Sequence, residues 1–115
     1  MSDADDVIQK TEDLADGVYI ALVGEVDLSR SPALRQRLLV MAGESPDRIV
    51  VDLSAVPYMD SSGVATLVEA LQQQRRHKGK MVLCGMQAKV RSIFEIARLD
   101  TVFTIVDDVE QAKTV

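Results

Sequence analysis

The stretch Val56-Pro57-Tyr58-Met59-Asp60-Ser61-Ser62-Gly63 decides how the chain is read, because a polar loop ends there and a periodic apolar run begins. Beyond it, Val64, Leu67, Val68 and Leu71 recur at i, i+3, i+4 and i+7, the spacing of one buried helix face. A helix is therefore predicted from Ser62 to about His77. Asp60, Ser61 and Ser62 fall at its N-terminus, where backbone N–H groups lack partners and the helix dipole is positive. Asp and Ser are favoured N-cap residues, and a cap needs no function. A hydroxyl at such a loop tip can also accept a phosphoryl group, which a helix N-terminus accommodates. The residues alone leave both roles open.

Upstream, Arg48-Ile49-Val50-Val51-Asp52-Leu53 reads as a central strand, rich in β-branched residues and too short for an independent helix. Ser31-Pro32 suits the N-cap and first position of a helix running to about Met41, with Leu34, Leu38 and Met41 as its buried stripe. Val18 to Val23 is apolar on both alternating sets, which predicts a strand in a sheet covered on both faces. Val7 to Lys10 is predicted as a short edge strand before the Gly17 turn. Downstream, Arg75-Arg76-His77-Lys78-Gly79-Lys80 places cations at a helix C-terminus and a Gly at its left-handed cap. Met81 to Cys84 is the next strand, Gln87 to Arg98 the next helix with Val90, Ile93, Phe94 and Ala97 as its stripe, and Val102 to Val106 the last strand. A final helical turn can be capped by Asp107 or Asp108.

The alternation from Ile49 to Val106 predicts right-handed parallel crossovers, with the first hairpin extending the sheet on one side. The expected fold is a single α/β domain over residues 1–115, with a mixed sheet of about five strands and about four helices, residues 1–6 being flexible. Its core should hold Ile20, Leu22, Val50, Leu53, Leu67, Leu71, Leu83, Ile93 and Phe94. Loops leaving the carboxyl ends of strands are where such sheets place their function, and the opening stretch is one of them.

Composition removes several classes of chemistry. The net charge of −5 argues against a nucleic-acid partner, whose affinity rests on a basic surface. The apolar runs fall far short of a bilayer span, and the acidic start is unlike a signal peptide, so a cytoplasmic protein without membrane insertion is expected. Cys84 is the only cysteine and lies in an apolar run, as a small core residue would. A serine nucleophile would need a base, yet His77, the only histidine, lies sixteen residues along the helix from Ser61, roughly 24 Å away. One His and one Cys cannot make a zinc site, no Gly-rich phosphate loop occurs, and aromatic residues are few. No catalytic residue, metal or cofactor is expected, and a binding module is favoured over an enzyme.

Gly24-Glu25-Val26-Asp27, Val50-Val51-Asp52-Leu53 and above all Tyr58-Met59-Asp60-Ser61-Ser62-Gly63, in this order and spacing, resemble the STAS domains, named for sulfate transporters and anti-sigma factor antagonists. The likeness spans about the whole chain. It implies an anti-sigma factor antagonist acting by partner switching, in which the unphosphorylated protein binds an anti-sigma factor that is also a serine kinase. Phosphorylation ends the binding and a phosphatase restores it. By the same resemblance Ser61 is the phosphoacceptor. The partner-binding surface would gather Asp27, Tyr58, Met59, Asp60, Ser61, Ser62, Gly63 and Thr66, with Met59 either exposed in the contact patch or tucked into the core. Many members continue Gly-Leu-Gly where this chain has Gly63-Val64-Ala65. Other small STAS proteins resemble accessory subunits of lipid-transport ABC systems, which gives the alternative partner, a permease.

Overall fold

A computed structural model of the chain describes residues 7–115; the flexibility expected of residues 1–6 lies outside the described residues. Five strands form one sheet in the order β1-β2-β3-β4-β5: β1 (Ile8–Leu14), β2 (Gly17–Val23), β3 (Arg48–Ala55), β4 (Lys80–Cys84) and β5 (Thr104–Val106). The hairpin β1/β2 is antiparallel, and the three remaining pairings are parallel. The crossovers are α1 (Ser31–Gly43), α2 (Ser61–Arg76) and α3 (Ala88–Ile96), and α4 (Val109–Thr114) closes the chain. Each crossover advances one strand in the same direction, so right-handed connections put α1, α2 and α3 on one face.

That face holds the larger core. Leu34 and Leu38 from α1, Leu67 and Leu71 from α2, and Val90 and Phe94 from α3 pack on Ile20, Leu22, Ile49, Val51, Leu53 and Leu83. On the opposite face Tyr19, Ala21, Val50, Val82 and Cys84 meet Ala112 of α4. Both alternating sets of β2 and β3 are thus covered, which is why those strands read as continuous apolar runs. Arg48 is buried beneath α4, with Nε on the Asp16 carboxylate at 2.9 Å and Nη1 donating to the carbonyls of Ala112 at 2.8 Å and Val115 at 2.7 Å. No helix among the described residues is long and apolar enough to cross a membrane.

The departures from expectation have local causes. β1 runs to Leu14 rather than Lys10, because Gln9 to Asp13 are exposed on an edge strand whose backbone pairing with β2 needs no apolar pattern. Ser31 is the first residue of α1 and not its cap; Arg30 holds that position without a side-chain bond. The left-handed residue after α2 is Lys78, at φ 64°, not Gly79. Gly79 is needed for space instead, since a Cβ there would lie 2.7 Å from the Pro46 carbonyl oxygen and 2.6 Å from His77 Nε2. α3 stops at Ile96, which leaves Ala97 exposed, and it buries Val90 and Phe94 with Ile93 half-buried to one side, outside the core. A 3-10 turn at Leu99–Thr101 shortens β5 and delivers Phe103 edge-on to Phe94, with ring centroids 5.6 Å apart. Of the two candidate caps for α4, Asp108 is the one used.

Candidate functional site

Two loops leave the carboxyl ends of the neighbouring parallel strands β2 and β3, and backbone hydrogen bonds zip them together. Gly24 N donates to the Ala55 carbonyl at 2.9 Å, Val26 N to that of Tyr58 at 3.0 Å, and Asp60 N to that of Val26 at 3.1 Å. Val26 and Met59 form an isolated parallel bridge, and both side chains are fully buried. Met59 is therefore an anchor under the loop and not part of an exposed contact patch. The bridge turns its side chain inward, while Tyr58 on the other side of the backbone stays 42 % exposed. Gly63 is buried for a related reason: a Cβ there would sit 2.6 Å from Met59 Cγ and 2.9 Å from the Val26 carbonyl oxygen. The glycine lets the first turn of α2 rest directly on the zipped loops.

Asp60 caps α2. Its Oδ1 accepts from Ser62 N at 2.9 Å, Gly63 N at 3.2 Å and Ser62 Oγ at 2.6 Å. The Ser62 hydroxyl, followed by those backbone N–H groups, holds the Asp60 carboxyl below its ordinary value against the opposing effect of desolvation. Ser62 Oγ is engaged from the other side as well, accepting from Ser31 Oγ of α1 at 2.9 Å. Thr66 is buried and spends its hydroxyl on the Ser62 carbonyl at 2.9 Å. Ser61 differs from all of these: it is exposed, and its hydroxyl enters no hydrogen bond among the described residues.

Asp27 supplies a second carboxylate. It accepts from Ser29 Oγ at 2.6 Å and Ser29 N at 3.0 Å, which lowers its pKa, while the charge on Asp60 pushes the other way. The two acids thus share one electrostatic neighbourhood at the mouth of α2. Arg30 braces the loop beneath them by donating to the carbonyls of Glu25 at 2.6 Å and Val23 at 2.8 Å.

Beside the serines, α1 and α2 enclose an open groove of about 280 Å³ lined by Ser31, Pro32, Arg35 and by Ser62, Ala65, Thr66 and Glu69. A two-pronged ion pair closes its far end, Arg35 Nε and Nη2 reaching the Glu69 carboxylate at 2.6 and 2.7 Å. The structure brings Asp27, Tyr58, Asp60, Ser61, Ser62 and Thr66 together around the start of α2, with Ser31, Arg35, Glu69 and Leu28 beside them, Leu28 being 73 % exposed next to Asp27. Leu28 carries no signal in the sequence, where Ser31 reads as a cap. Nothing in the sequence pairs Arg35 with Glu69, since their contact spans two helices. Among the described residues no three His, Cys, Asp or Glu side chains gather so as to hold a metal ion. Cys84 lies buried on the other sheet face, where burial above all pushes its thiol up to about 12.

The profile of the STAS domain family matches residues 7–112. The chain belongs to the STAS domain family. It is 30% identical over 90 residues to the anti-sigma-B factor antagonist of Listeria monocytogenes, covering 78% of this chain and 79% of that one. An anti-sigma factor antagonist from Mycobacterium paratuberculosis superposes with a TM-score of 0.85 at 26% identity, over 95% of this chain and 93% of the other. The Bacillus protein SpoIIAA in its phosphorylated form shares the fold, with a TM-score of 0.71 at 21% identity over 89% and 92% of the two chains. The expected STAS fold, with its five-stranded mixed sheet and four helices, holds.

Proposed function

We propose that this STAS chain is an anti-sigma factor antagonist acting in the cytoplasm by partner switching. Unphosphorylated, it binds an anti-sigma factor that is also a serine kinase; phosphorylation of Ser61 releases it, and a phosphatase resets it. The observation that carries this reading is the condition of Ser61. Its hydroxyl is exposed and unbonded at a helix N-terminus, whereas the hydroxyls of Ser62 and Thr66 are committed to structural hydrogen bonds. The relatives named as anti-sigma factor antagonists support the partner class.

The contact surface would comprise Asp27, Leu28, Tyr58, Asp60, Ser61, Ser62 and the edge of Thr66, with Met59 and Gly63 holding it from behind. Exposed Leu28 and Tyr58 supply the apolar and aromatic area that interface centres favour. A phosphate adds roughly 1.5 to 2 negative charges. Within the domain the helix N-terminus attracts that charge while Asp60 and Asp27 repel it, so the fold should persist. Against a partner shaped for a neutral hydroxyl the phosphate must shed water without compensation. A mismatch of about 3 kcal/mol would weaken binding more than a hundredfold. The chain itself carries out no catalysis in this reading; the kinase does.

The test is to recover the chain's cellular partner by pull-down, incubate the two with ATP and locate phosphate by mass spectrometry. Phosphate on Ser61 with loss of the complex is the expected result. A recovered ABC permease, with no phosphate on either serine, would move the chain to lipid transport.

A further inference from the structure

We propose that Ser31 is a specificity-determining residue, which together with Asp60 confines phosphoryl transfer to Ser61 by locking the adjacent Ser62 hydroxyl between α1 and α2. This inference rests on the reading of Ser61 as phosphoacceptor and concerns why its neighbour is spared. Two serines stand side by side at the start of α2, Ser61 exposed and Ser62 half-buried. Their hydroxyls differ in occupancy. Ser62 Oγ donates to Asp60 Oδ1 at 2.6 Å and accepts from Ser31 Oγ at 2.9 Å, so both its proton and a lone pair are engaged. Ser31 is itself only 4% exposed, and its position is fixed by Ser31 N donating to the Asp27 carbonyl at 2.8 Å.

Phosphoryl transfer from ATP needs a hydroxyl oxygen free to form the bond to the γ-phosphorus while the bond to the β-phosphate oxygen breaks, ADP departs and the hydroxyl proton passes to a base on the kinase. Ser61 can present that oxygen as it stands. Ser62 must first give up both hydrogen bonds and turn out of the cleft between two helix starts. Afterwards its phosphate would lie against the Asp60 carboxylate that had accepted its hydrogen bond, a like-charge contact on the residue that caps α2. Nor can the backbone shift to relieve this, because Gly63 is seated on Met59 and Val26. Ser31 reaches the site from another element, so a lone Asp-Ser-Ser cap without it would leave Ser62 held from one side only.

Phosphoserine installed during translation at position 61 or at position 62 tests the lock without any kinase. The chain modified at 61 should unfold within about 2 °C of the unmodified protein, and the chain modified at 62 roughly 5 °C or more below it. Combining Ser31→Ala with phosphoserine at 62 should close at least half of that gap, relative to unmodified Ser31→Ala, because the bond from α1 is then no longer there to lose. Hydrogen exchange at the Gly63 amide is the second readout: about tenfold faster with phosphate at 62, unchanged with phosphate at 61. Equal melting and equal exchange for the two modified chains would overturn the inference. So would a gap that Ser31→Ala leaves undiminished, which would make Asp60 alone responsible. Failure of a kinase to modify Ser61 would instead sink the partner-switching reading and leave these measurements standing.

Discussion

The two ends of α2 both carry rows of polar residues, acid and hydroxyl at one end and mainly cations at the other, and they reach opposite outcomes. At the C-terminal end three polar side chains are turned to scaffold duty, although the buried Gln74 Oε1 itself finds no partner among the described residues. Arg75 donates to the Val102 carbonyl, His77 Nε2 pairs with the Pro46 carbonyl, and Gln74 Nε2 bridges the carbonyls of Pro46 and Lys80. At the N-terminal end Asp60, Ser62 and Thr66 are spent in the same way, yet one hydroxyl is left over, on Ser61. A row of capping residues is ordinary structure; a surplus member in a row otherwise fully committed is a candidate for signalling. The cations that look conspicuous in the sequence lie at the end without a surplus hydroxyl.

The comparison presupposes that α2 is a rigid strut, and the largest expected effect tests that. Leu67 is fully buried in the larger core, so Leu67→Ala should cost about 2 to 5 kcal/mol in denaturant unfolding. A loss near zero would mean that neither end of the helix is held.

Next come the two glycines, which brace opposite ends. A Cβ at Gly63 would meet Met59 Cγ at 2.6 Å, and one at Gly79 would meet the Pro46 carbonyl oxygen at 2.7 Å. Each Gly→Ala change should cost roughly 1 to 3 kcal/mol, as overpacking does. Only Gly63→Ala should also slow phosphorylation at Ser61, by moving the first turn. Equal effects of the two on phosphorylation would erase the distinction between the ends.

How much of this contrast was legible in the sequence depended on whether a local pattern or a long-range contact decided it. Leu67 and Leu71 announced α2 by their spacing, and Asp60-Ser61-Ser62 marked its start. Met59, adjacent to them, could not be placed, because its burial follows from a bridge to Val26 in another loop. Ser31 read as a cap since Ser-Pro favours one, whereas its hydroxyl is drawn to Ser62 across the helix pair. Ile93 matched the helical period but lies at the edge of the α3 stripe, whose centre is the buried pair Val90 and Phe94. The polar edge strand β1 carried no apolar signal beyond its first residues; its length is set by pairing with β2.

A smaller effect concerns acid. The Asp60 carboxyl is held below its ordinary 3.8, chiefly by the Ser62 hydroxyl, so its contribution is complete above the unfolded value and is lost as pH falls through the lower folded one. Asp27 is shifted the same way and should act in the same window. Asp60→Asn still offers a capping oxygen but cannot titrate, so it should lower stability at neutral pH, where the carboxylate's contribution is complete, and flatten the decline below about pH 4. An unaltered acid limb in urea melts across pH would show that this carboxylate is not coupled to folding.

The smallest expected effect on stability is the most informative about function. Ser61 touches nothing with its hydroxyl, so Ser61→Ala should change the unfolding free energy by no more than about 0.5 kcal/mol, the usual range for exposed sites. Ser62→Ala removes two hydrogen bonds at half-buried positions and should cost more, about 1 kcal/mol or above. For a partner the order reverses. Ser61→Ala should keep the complex and block its release by ATP, because the surface stays neutral and the acceptor oxygen is gone. Ser61→Asp should weaken the complex only in part, since one charge replaces the roughly 1.5 to 2 of a phosphate and lacks its third oxygen. Titration of both variants against the recovered partner decides the matter. If Ser61→Asp binds as tightly as Ser61→Ala, charge at this position is not what ends the partnership, and the surplus hydroxyl at the N-terminal end of α2 loses its role.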